Sequence, residues 1–93
     1  MKSDELLDKV RELAGLFLSI REIAILCDMP FEEFSSEINT SDSLLYLAYW
    51  KGKTTAKYLI RKKVIDLAIK GSPQAEALAD KYIEEQELED SGQ

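Results

Sequence analysis

Apolar residues recur along this chain at intervals of three and four, the period of helices buried on one side. Leu6, Leu7, Val10, Leu13, Ala14 and Phe17 form the first such stripe and predict an amphipathic helix from about Asp4 to Leu18, capped by Ser3 or Asp4. Ser19 and Glu22 then make an S-x-x-E capping box, in which a hydroxyl and a carboxylate satisfy free backbone N–H groups where a helix begins. A second helix is therefore predicted from Ile20 to Cys27, with Ile23, Ala24 and Cys27 at helical spacing. Asp28 is the predicted turn residue, because its short polar side chain tolerates a left-handed backbone, and Met29 is expected to tuck beneath the turn. The fixed φ of Pro30 suits a helix start, and Phe31, Phe34 and Ile38 continue the apolar spacing to about Asn39.

The polar run from Asn39 to Ser43 offers capping oxygens for a new helix. Between Asp42 and Lys70 there is no proline and one glycine, Gly52, so a single helix roughly 40 Å long is predicted at 1.5 Å per residue. Gly52 marks either a kink or a close helix contact. Gly71-Ser72-Pro73 combines a helix-ending glycine, a capping serine and a proline for the first turn of the next helix. Ala75, Leu78, Ala79, Tyr82 and Ile83 form the last stripe, which predicts a helix folded back antiparallel on the long one. From Glu84 onward the chain is acidic and is expected to fray into a disordered tail over residues 88–93. Two short helices joined by a tight turn are the sequence shape of a helix-turn-helix. The predicted architecture is thus all-α: a helix-turn-helix unit of three helices over residues 1–40, then a helical hairpin over residues 41–87.

Composition supports an all-α fold. The 93 residues are rich in Leu, Ile, Ala, Glu and Lys, with two prolines, four glycines and no alternating β-branched runs. That length suits one compact domain burying roughly 60–70% of its unfolded surface. No apolar run approaches the roughly 20 residues that cross a membrane, and the first residues lack a signal peptide's apolar centre, so a cytosolic protein is expected. The chain has no histidine and a single cysteine, Cys27, expected as a small core residue. Neither histidine-based catalysis nor the usual His/Cys metal site is available to it. Glu32 and Glu33 are adjacent, so on a helix their carboxylates diverge rather than forming a catalytic pair. No enzyme activity, cofactor or metal is expected.

The net charge of −6 hides opposing blocks. Through Asp42 there are four basic residues against ten acids; from Ser43 to Tyr82, eight against three; and the last segment carries five acids. Lys53, Lys57 and Arg61 lie four apart and share a helix face, which suits either a phosphate backbone or plain solvation. The long helix also has two apolar sides. Leu45, Ala48, Gly52, Ala56, Leu59 and Leu67 form one band; Leu47, Tyr58, Ile65 and Ile69 form another, which suits either the last helix or a subunit interface. Trp50, beside Tyr46 and Tyr49, is open between core packing and an interface anchor, with the core the expected place.

The helix-turn-helix of Ser19 to Ile38, the later run Leu-Tyr-Leu-Ala-Tyr-Trp-Lys-Gly-Lys53, and Leu67-Ala-Ile-Lys-Gly-Ser-Pro-Gln-Ala75 resemble, in that order, phage terminase small subunits and related phage helix-turn-helix proteins. The likeness runs from about Leu6 to Ile83. It implies a non-catalytic protein that recognises double-stranded DNA for packaging, assembles into a homo-oligomeric ring through its helical hairpin and hands DNA to a large ATP-hydrolysing subunit. It would make Phe31 to Asn39 the recognition helix, with DNA contacts at Arg21, Ser35, Ser36 and Asn39. The glutamates of that helix, Glu32, Glu33 and Glu37, oppose phosphate. They move the expected contacts toward Arg21 and the Lys53, Lys57 and Arg61 face. They also leave a second reading open, an acidic protein–protein adaptor or regulator built on a helix-turn-helix that does not read DNA.

Overall fold

The computed structural model describes residues 3–92; Lys2, counted among the N-terminal cations, and Gln93, the end of the acidic segment, lie outside them. Among the described residues there are five helices and no strand: α1 (Asp4–Gly15), α2 (Ile20–Leu26), α3 (Phe31–Ile38), α4 (Leu44–Ile69) and α5 (Pro73–Ser91). Two compact units divide after Lys57, inside α4.

In the first unit, the starts of α1, α2 and α4 are closed by the side chains their sequence offers, while α3 begins at Pro30 with no side-chain cap. The Leu6 N–H donates to Ser3 Oγ at 3.1 Å. At α2 the capping box is complete: the Glu22 N–H donates to Ser19 Oγ at 3.1 Å, and the Ser19 N–H donates to Glu22 Oε1 at 2.9 Å. Ser43 works in both directions. Its hydroxyl donates to the Glu37 carbonyl at 2.6 Å and accepts from the Tyr46 N–H at 3.0 Å, tying the end of α3 to the start of α4. Replacing Ser19 with alanine orphans a donor at a helix start and is expected to cost about 1 kcal/mol, measurable as a lowered urea midpoint.

The α2–α3 turn is a Schellman motif. Asp28 sits at φ 56°, its N–H donates to the Ile25 carbonyl, and the Met29 N–H donates to the Ala24 carbonyl. Four helices then converge on one core. Leu7, Val10, Leu13 and Ala14 of α1, Ile23 and Ala24 of α2, Phe34 and Ile38 of α3, and Leu45, Ala48 and Tyr49 of α4 are buried together. Cys27 and Met29 pack against this core from its edge. Burial pushes the Cys27 thiol pKa up; Lys9 opposes the shift and Asp28 adds to it, so the sulfur stays protonated at neutral pH.

Two features of this unit depart from the sequence expectation. The first helix ends at Gly15 rather than Leu18, because the chain turns left-handed at Phe17, with φ 61°. Phe17 therefore leaves the apolar stripe and is 47% exposed. A bulky side chain in this region is strained by roughly 1–2 kcal/mol, and glycine's unfolded-state entropy and the lost half-burial of the ring offset that relief, so Phe17→Gly is expected to change stability by less than about 1 kcal/mol. Thermal unfolding checks this. Trp50 is 45% exposed, and Tyr49, 8% exposed, takes the core position. Consecutive residues on a helix are about 100° apart, so only one of the two can face inward.

In the second unit, α4 ends in another Schellman motif. Gly71, at φ 100°, donates its N–H to the Ala68 carbonyl, and the Ser72 N–H donates to the Leu67 carbonyl. Ser72 Oγ then accepts from the Ala75 N–H, and Pro73 begins α5. The helix α5 packs back against α4, where Arg61 pairs with Glu85 at 3.0 Å and lies over the Tyr82 ring at 4.3 Å. The acidic segment stays helical through Ser91, where sequence alone suggested a frayed tail. It contains no breaker before Gly92, and good helix formers such as Glu, Gln and Leu carry the helix on, with Gln86 bonded to Asp90 one turn later.

Candidate nucleic-acid and assembly surfaces

The α2–α3 element holds its core residues on one side and exposes its polar residues on the other. Phe34 and Ile38 are buried; Glu32, Glu33, Ser36 and Asn39 are exposed, and Ser35 is half-buried. The side-chain amide of Asn39 lies 3.4 Å from Ser35 Oγ, as donor to that hydroxyl. The backbone carbonyl of Ser36 accepts from the Thr40 hydroxyl at 2.8 Å, and Ser36 itself is exposed. Arg21 is engaged, with its guanidinium stacked over the Phe31 ring at 4.1 Å, spanning α2 and α3. Stacking of this kind leaves the guanidinium edge able to donate, while fixing where it points.

The cations of α4 separate into different environments. Lys53 Nζ sits 5.1 Å from the Trp50 ring and 5.5 Å from the Tyr49 ring, on the first unit. Lys51 and Lys57 are exposed beside it in sequence. Arg61, which the four-residue spacing placed in the same stripe, is committed to Glu85 and Tyr82 of α5 in the second unit. Its charge is partly neutralised where it stands. Periodicity shows which residues share a helix face; it does not show which of them a later helix will cover.

A groove of about 530 Å³ lies between α1 and α4 of the first unit. Leu7 and Arg11 form one wall, and Leu44, Leu47, Trp50 and Lys51 the other. Its walls are apolar with a cationic rim. Sequence placed Leu47 in the second apolar band and left Trp50 open between core and interface; that both face α1 across a groove depends on two helices distant in the chain. The walls are set by a close helix contact: a Cβ on Gly52 would lie 2.7 Å from the Arg11 carbonyl carbon and closer still to its oxygen.

No known protein family, curated protein or solved structure matches this chain.

Among the expected interface residues, Leu47 lines this groove, Tyr58 and Ile69 are exposed, and Ile65 is half-buried. Ile69 is 79% exposed. The C-terminal half of α4 and α5 together expose Tyr58, Leu59, Ile60, Leu67, Leu78, Ile83 and Leu88 as well, while in that unit Ala75 is the one fully enclosed apolar residue among those described. The helix α4 is thus apolar on several sides yet buried only near its start. Among the described residues no helix is long and apolar enough to cross a membrane. Likewise, no cluster of three or more Cys, Asp or Glu side chains among them is arranged to hold a metal ion.

Proposed function

We propose that this chain is a non-catalytic DNA-binding protein of phage type, similar in role to a terminase small subunit, acting as a homo-oligomer. The α2–turn–α3 element carries the reading: two short helices closed by a Schellman turn at Asp28, packed on α1 through Ile23, Ala24, Phe34 and Ile38, have helix-turn-helix form. The exposed glutamates of α3 direct phosphate contact toward Lys51, Lys53 and Lys57 of α4 and the Arg21 guanidinium, with Ser35, Ser36 and Asn39 the polar groups available for base edges. Arg61 contributes less, because Glu85 already answers its charge. The α4–α5 hairpin supports assembly, since a pair of helices enclosing little more than Ala75 gains its missing core from other copies. By resemblance, the same proposal extends to a large ATP-hydrolysing packaging subunit as the receiver of bound DNA.

Fluorescence anisotropy with a labelled DNA duplex at low and high salt tests the reading. Binding is expected to weaken steeply as salt rises, and Lys57→Ala is expected to flatten the logarithmic salt slope by about 1. Absence of salt-sensitive binding at micromolar protein overturns it. A second reading has its own observation, the outward Glu32 and Glu33 of α3, which suit a basic protein partner and make the chain an adaptor. A tight, salt-independent DNA complex would exclude that role.

A further inference from the structure

We propose that the α1–α4 groove is the docking site for the acidic end of α5, Ile83 to Asp90, from a second copy of this chain. Both partners are on the surface with apolar groups exposed. The groove offers Leu7, Leu44, Leu47 and Trp50, rimmed by Arg11 and Lys51. The end of α5 offers Ile83 and Leu88, both exposed, among Glu84, Glu85, Glu87, Glu89 and Asp90. Charge complementarity selects this segment. The groove rim carries the cations Arg11 and Lys51, and the end of α5 is the densest run of carboxylates in the chain. Arg11 reaches Asp8 on the solvent side of α1, an exposed pair that yields to a better-desolvated carboxylate at low cost. The segment is already helical, so docking orders little new backbone.

The contact joins two different surfaces, so each copy keeps one groove and one α5 end open, and the geometry of repetition closes into a ring or runs on. Lys51 rims the groove and is also among the proposed phosphate contacts, and Ile83 and Leu88 also belong to the exposed hairpin surface, so the test reads this contact by tryptophan emission in the absence of DNA.

The chain's single tryptophan lies in the groove and reports on it. Two full-length variants are mixed. Trp50→Ala has a damaged groove, no tryptophan and an intact α5. The triple variant Glu84→Lys, Glu87→Lys, Leu88→Ser has an intact groove and a damaged α5 end. All four positions are exposed, and circular dichroism checks that both variants remain helical. The mixture is expected to give a blue-shifted tryptophan emission, saturating near equimolar, that neither variant shows alone. Light scattering is expected to show mixed species larger than either variant. An unchanged emission on mixing overturns the proposal, as does an equal shift when the triple variant is mixed with a second preparation of itself. A wild-type emission independent of concentration, in a chain that stays monomeric, also overturns it, because α5 would then be filling its own groove or none. Salt-dependent DNA anisotropy of the wild-type chain reads the proposed function separately, so either idea can fail while the other stands.

Discussion

Replacing Phe34 with alanine is expected to remove about 3–5 kcal/mol of stability, much of the roughly 5–15 kcal/mol that a domain of this size holds. Phe34 has no exposed surface and is the largest of the fully buried side chains. It stands on α3 where Ile23 of α2, Val10 of α1 and Leu45 of α4 also reach full burial, so its ring lies in the shared core of four helices. Truncation removes the transfer energy of the ring and leaves a cavity that three neighbouring helices would have to collapse to fill. The expected measurement is a urea midpoint lowered by most of its value, with loss of any DNA binding that depends on the α2–α3 arrangement. Phe34→Leu keeps most of the volume and should retain the fold at a smaller cost. A Phe34→Ala loss below about 1 kcal/mol would show that the core does not converge on this residue.

Gly52→Ala is expected to destabilise the chain by about 1–3 kcal/mol or more, against the sign that helix propensity alone gives. In an isolated helix, alanine would be about 1 kcal/mol better than glycine. Here the added methyl would meet the Arg11 backbone, lying 2.7 Å from its carbonyl carbon and 2.8 Å from its Cα. Backbone cannot rotate away as a side chain can, so α1 and α4 must separate, and the loss spreads to Leu7, Val10, Leu45 and Ala48 around the crossing. Gly15, on the other side of the same crossing, supplies the control. A methyl there would meet the Ala56 Cβ at 3.6 Å and the Gly52 carbonyl oxygen at 3.4 Å, near ordinary contact. Gly15→Ala should therefore change stability by less than about 1 kcal/mol. The two substitutions compared in one denaturation experiment separate crossing geometry from propensity. Because the same crossing sets the walls of the groove, Gly52→Ala should also alter the emission of Trp50 in the folded state.

Much of the local structure was legible because it is decided by side chains acting on their own backbone. Ser19 with Glu22, Asp28, and Gly71-Ser72-Pro73 each gave the predicted cap or turn, since capping oxygens and left-handed positions act over three or four residues. The two alternatives left at Gly52, kink or close contact, needed the partner helix to be decided. The end of α1 moved to Gly15 because Phe17 accepts a left-handed backbone that its own type disfavours, an outcome set by how α1 joins α2.

The candidate surfaces divide in the same way. Sequence placed the cations on α4, exposed the acidic character of α3 and excluded histidine chemistry, because residue identity fixes charge wherever a side chain goes. Tertiary structure decided which cations are engaged, with Arg21 over Phe31 and Arg61 held by Glu85 and Tyr82. It also chose Tyr49 over Trp50 for the core and opened the groove beside Trp50. The physical reason is range. Helix period and capping operate within one or two turns, whereas the partner of an exposed ring or guanidinium depends on where a distant helix crosses, and here that crossing is set by the absence of one Cβ at Gly52.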